Sequence, residues 1–177
     1  MRAMNGFLFA AIAMGLGASA AMATDDAFER MTYNEFRLML RDAHLAYQKN
    51  DYDRAFGLYR RNACTGDKSS QFALGSMYLY GEGTTADGLK AYAWLASAAE
   101  AREPQYRNAF EKLEKEIPAE HLDAAKNAAA RVVEHYGMNA TNVNCAMRAE
   151  AGTKISKLEC KPPIDPRTGY VEVKRCD

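Results

Sequence analysis

The sequence predicts an all-α stack of helical hairpins, an α-solenoid of two to three repeats, followed by a small disulfide-linked β-hairpin or meander. Three observations carry this. First, the stretch 73–99 reads as one helix–turn–helix unit. Ala73, Gly75, Ala91, Ala98 and Ala99 sit where two helices would touch, and Leu74, Met77, Tyr78, Tyr92, Trp94 and Leu95 fill the space around them. Second, a shift of 36 residues lays Asp51, Ala55, Phe56 and Ala63 on Asp87, Ala91, Tyr92 and Ala99, and Ala109-Phe110 falls back on Ala73-Leu74. A period in the mid-thirties is that of helix-pair repeats. Third, the alanine-rich periodicity stops at Met138, where turn residues, β-branched residues and three of the four cysteines take over.

In chain order, residues 1–23 read as a signal peptide: Arg2 supplies the positive start, 7–16 the apolar run, and Ala21-Met22-Ala23 the cleavage site before Thr24. That run is shorter than the roughly 20 residues of a membrane span, and no second apolar stretch of spanning length follows. The reading is therefore a periplasmic or secreted chain without stable membrane insertion. It divides into 1–23 signal peptide, 24–137 helical repeat domain and 138–177 cysteine-containing β tail.

Residues 24–31 are expected to form a short lead-in helix. Thr32-Tyr33-Asn34-Glu35 fits a capping box, in which hydroxyl and carboxylate each satisfy an orphan backbone N–H. Phe36, Met39, Leu40, Ala43 and Tyr47 then mark one apolar stripe of a helix ending near Lys49. A return helix over 53–64 turns Ala55, Phe56, Tyr59 and Ala63 inward. Within the central unit, Gly81 and Gly83 supply a tight reversal and Asp87 caps the second helix. Pro104 opens another helix, since its missing N–H is an orphan there anyway. Pro118 opens the last, which runs to Tyr136 and closes at Gly137. In the tail, Gly152 and Gly169 each precede a strand-like run that ends in a cysteine, and Asp165-Pro166-Arg167-Thr168-Gly169 is turn chemistry.

The spacing of Leu74, Gly75, Met77, Tyr78, Gly81, Gly83, Asp87, Ala91, Trp94, Ala98 and Ala99 resembles the Sel-like subclass of tetratricopeptide-like repeats. The resemblance implies a scaffold that binds another protein. It also implies that the first helix of each pair lines a concave face. Two rows of polar residues occupy such helices: Arg37, Arg41, His44 and Gln48, and then Asn108, Lys112 and Lys115. Their donors suit an acidic or extended peptide, through charge-assisted hydrogen bonds to carboxylates. A plain solvated helix face is the other reading of the same residues.

Charge and composition narrow the remaining classes. Twenty-three basic and 23 acidic residues balance, which gives no global argument for nucleic acid or an anionic membrane surface. Cys64, Cys145, Cys160 and Cys176 form an even set, read as disulfides in an exported chain. Pairing Cys145 with Cys160 closes a short loop, worth roughly 3 kcal/mol in the chain-entropy model, and leaves Cys64 for Cys176. The rival joins Cys160 to Cys176, with Cys64 and Cys145 either paired or free. His44, His121 and His135 fall on different helices without metal-ligand spacing, and no nucleophile elbow or phosphate loop stands out. The reading is thus a non-enzymatic scaffold with no cofactor, no metal and no catalytic residue. Its alternative is a cell-envelope enzyme or β-lactam-binding protein of the cysteine-rich repeat class, whose regular cysteine pairs per repeat this chain lacks.

Overall fold

The computed structural model describes residues 28–149, 152 and 156–176. The signal peptide read over 1–23 lies outside them. Seven helices and four strands follow in order: β1 (Phe28–Thr32), α1 (Tyr33–Gln48), α2 (Tyr52–Cys64), α3 (Lys68–Tyr80), α4 (Gly88–Ala99), α5 (Pro104–Glu116), α6 (Ala119–Tyr136), α7 (Met138–Thr141), β2 (Asn144–Ala149), β3 (Ser156–Lys161) and β4 (Tyr170–Lys174).

The first four helices begin where side chains can receive their first N–H groups. Thr32 Oγ1 accepts from Glu35 N while Thr32 N donates to Glu35 Oε2, a complete capping box. These bonds hold the Glu35 carboxyl below the usual carboxylate range. Asp51, Asp67 and Asp87 cap α2, α3 and α4 in the same way. Consecutive helices then pack pairwise from α1 through α5, and α6 lies against α4. Trp94 and Tyr78 are both buried in this stack, among Leu74, Met77, Tyr92 and Leu95.

Small residues set how closely the helices approach. A Cβ on Gly75 would stand 2.8 Å from Leu95 Cγ, so α3 and α4 meet there almost backbone to side chain. Gly83, at φ +65°, presses the α3–α4 turn against the Tyr52 carbonyl at the start of α2, where no side chain would fit. That contact docks the second hairpin on the first.

One expectation is corrected. Residues 28–31 belong to strand β1, not to a lead-in helix. They pair antiparallel with β4, Met31 opposite Val171 and Glu29 opposite Val173. The burial of Met31, Val171 and Val173 against Phe36 of α1 decides the outcome, because an extended strand puts these side chains on one face. The two C-terminal strand runs also part company. β3 forms a hairpin with β2, whereas β4 finds its partner at the other end of the described chain. The bonds Cys145–Cys160, across the β2–β3 hairpin, and Cys64–Cys176, from the end of α2 to just past β4, fasten both sheets.

Candidate partner-binding surface

Helix α1 presents Arg37, Arg41, His44 and Gln48 to solvent as one row. Arg41 pairs with the neighbouring Asp42 at 3.1 Å, and the ring nitrogen Nε2 of His44 lies 2.9 Å from Gln48 Nε2. The opposite side of the helix buries Phe36, Ala43 and Ala46, so the row cannot rotate. Tyr47 Oη also donates to Glu82 Oε2 at 2.9 Å, tying α1 to the turn after α3.

Asn108, Lys112 and Lys115 are exposed on α5. The structure does not bring the two rows together: α1 packs on α2 and α5 on α4, at opposite ends of the stack. The repeat residues sit inside. Leu74, Gly75, Met77, Tyr78, Ala91, Trp94 and Ala98 are buried, Ala99 is half-buried, and Gly81 and Gly83 form the turn.

Two features escaped the sequence reading. The first is a polar cluster in the core around Lys68, which is 1% exposed. Its ammonium donates to Gln71 Oε1, the Ser97 carbonyl and Glu100 Oε2. The run Lys68-Ser69-Ser70-Gln71 looks like a solvated first turn, and nothing local marks it as internal. The second is a cleft of about 420 Å³ between α2 and the β1–β4 sheet. Arg60, Arg61, Lys174 and Arg175 line it, with Glu29 as its carboxylate. A signal for it existed: a dibasic pair precedes each of Cys64 and Cys176, so joining those cysteines brings four cations together.

Among the described residues no group of three His, Cys, Asp or Glu side chains could hold a metal ion. The three histidines do not fall on three helices as expected: His44 is on α1, while His121 and His135 share α6 near its two ends, and all four cysteines are bonded. No described helix is long and apolar enough to cross a membrane.

Two stacked hairpins with aspartate caps and alanine seams, the second closed by a glycine turn, define a helical-repeat protein. The Sel1 repeat family model matches residues 41–66 and 68–102, so this stretch of the chain is similar to Sel1-like repeats. No curated protein is similar enough to count as a relative. Among solved structures, the chain is similar to a protective antigen present in uropathogenic Escherichia coli strains, described as displaying an SLR fold. The identity is 24%, the alignment covers 58% of this chain and 23% of the antigen, and the TM-score is 0.47. This chain therefore spans under a quarter of that antigen's length.

Proposed function

We propose that the protein is a non-catalytic interaction scaffold working outside the cytoplasm, in the periplasm or after secretion, and that α1 captures an acidic or extended peptide of a partner protein. The observation that carries this is the row Arg37, Arg41, His44 and Gln48 on a helix whose other face is locked in the core. Such a row binds with little loss of ordering entropy, since its spacing exists beforehand. Asn108, Lys112 and Lys115 on α5 supply a second, separate contact. Export is supported by the two disulfides, which persist in oxidising compartments, and by the leader-like residues 1–23. On this reading 24–137 is the binding domain and 138–177 a tail that stiffens it.

Crosslinking in intact cells, followed by mass spectrometry, tests the proposal. The native chain should capture a defined partner, and the variant R37E/R41E/K112E should lose it. Undiminished capture by that variant overturns the α1 reading. Hydrolysis of a chromogenic β-lactam by the purified protein would overturn the non-catalytic one.

A further inference from the structure

The cationic cleft between α2 and β4 lies apart from the α1 row. The whole sequence has a formal net charge of zero, yet this cleft gathers four cations against one carboxylate. Glu29 is already engaged, holding the Arg61 guanidinium through both carboxylate oxygens at 3.2 Å. Arg60 is exposed on the last turns of α2, and Lys174 sits across the cleft with its ammonium 5.6 Å from the centre of the Tyr136 ring. Positive charge is therefore gathered on a concave surface, where its pull on an anionic partner falls as salt rises.

The floor is apolar. Met31 and Met39 meet Val173 there, and two methionines give a surface that adapts to the shape of an inserted side chain. Both walls are fixed. Cys64–Cys176 anchors the end of β4 to the end of α2, and β4 is paired along its length with β1. Cys176 itself lines the cleft. The site is thus preorganised, and binding would not have to order its walls.

We infer that this cleft is a second binding site, for a short acidic peptide segment that inserts one apolar side chain between its carboxylates. Charge complementarity selects the acidic residues: Glu29 is engaged by Arg61, and Arg60 and Lys174 add two further cations to the cleft. The methionine floor selects the apolar anchor. A volume of about 420 Å³ accommodates a large side chain with its adjoining backbone, and not the continuous track that a nucleic-acid strand needs. The inference shares with the proposed function only the premise that the chain binds a protein partner, and it does not require α1 to bind anything.

The test uses the full disulfide-bonded chain, labelled with ¹⁵N, titrated with a blocked Glu-Glu-Leu-Glu-Glu peptide. Amide shifts should gather in 57–65 and 171–176. Read from the shifts in 57–65 and 171–176, R60E/K174E should weaken binding by about tenfold or more, whereas K126E, at an exposed position of α6 outside both surfaces, should leave it unchanged. Raising sodium chloride from about 0.05 to about 0.3 M should weaken it several-fold. Should R60E/K174E fail to fold, R60Q/K174Q must show the same loss. Shifts confined to α1 would overturn the cleft site and leave the α1 reading standing; no shifts at all overturn the cleft site alone, because α1 is tested by its natural partner. Equal binding of inorganic phosphate, or of a Glu-Glu-Gly-Glu-Glu peptide, would also overturn the inference, since neither fills the apolar floor.

Discussion

The Lys68 ammonium lies 2.8 Å from Oε2 of Glu100, with the lysine enclosed and the glutamate about a quarter exposed. All three of the ammonium's donors are used. Glu100 Oε2 also accepts from Met138 N, while Gln71 Nε2 donates to the carbonyls of Ala63 and Tyr136. One cluster therefore joins the ends of α2, α3, α4 and α6. Removing the cation takes one donor from each of three acceptors, although Glu100 Oε2 keeps Met138 N and Gln71 Oε1 keeps the Ser97 hydroxyl. Lys68→Met should cost about 3 kcal/mol or more, read from urea unfolding. Glu100→Gln should cost less, because Gln71 and Ser97 still receive the ammonium.

The same lysine sets a pH dependence. Burial pushes its pKa below the ordinary lysine range, and the bonds and charges of Glu100 and Asp67 restore only part of that. The unfolded chain keeps this proton to higher pH than the folded one. Between the two pKa values unfolding takes up a proton, so stability rises with pH toward the unfolded lysine value near 10.4. Urea midpoints across that interval should climb in the native protein, and the climb should be absent in Lys68→Met.

Two glycines on neighbouring helices should respond oppositely to alanine. At Gly75 the new methyl would meet Leu95 Cγ at 2.8 Å and Leu95 N at 3.1 Å. The strain should outweigh the gain in helix propensity and destabilise by roughly 1–3 kcal/mol. At Gly57, inside α2, nothing lies within 4 Å, so Gly57→Ala should stabilise by about 0.5–1 kcal/mol. Thermal unfolding of the two variants decides both signs.

Local signals explain how much of this fold is legible in the sequence. Helix pairs declare themselves through periodicity, aspartate caps and the glycine turn, all within a few residues of where they act. The strand Phe28–Thr32 does not, because what makes it extended is Val171 and Val173, about 140 residues away. Lys68 misleads for a related reason: a polar helix start is ordinary, and only the arrival of Ser97 and Glu100 turns it into a core. The α1 row can be read from its spacing, whereas the cationic cleft exists only once Cys64 has met Cys176.

Four of the ten tyrosines should titrate late, Tyr59 among them because burial and then the charge of Asp67 push its hydroxyl up. The bond from Tyr47 to the Glu82 carboxylate pushes its hydroxyl up to about 12, with burial adding to it. Burial first, and then the Glu114 carboxylate, does the same for Tyr92; burial with the charges of Asp67 and Glu103 does so for Tyr106. The folded state keeps these protons while an unfolded tyrosine loses its own near 10. Their contribution is complete below about pH 10 and is lost as pH climbs toward 12. Ultraviolet absorbance titration should resolve the delayed group. Tyr47→Phe should remove one tyrosine from it, at a cost of about 1–2 kcal/mol.

The two disulfides should differ in what they contribute. Cys64–Cys176 closes a separation of 112 residues and Cys145–Cys160 one of 15. In the chain-entropy model these correspond to roughly 5 and roughly 3 kcal/mol, because the longer cross-link removes more freedom from the unfolded chain. C64A/C176A should therefore lower stability more than C145A/C160A in urea unfolding. It should also have a local consequence that the other lacks. The β1–β4 sheet rests on α1 through Met31, Phe36, Val171 and Val173, a small cluster apart from the main core. Without its anchor to α2 this sheet should open separately from the stack, exposing β4 amides to hydrogen exchange while α3 and α4 stay protected. Equal exchange rates throughout would mean that sheet and stack unfold as one unit and that the bond acts on the unfolded chain alone.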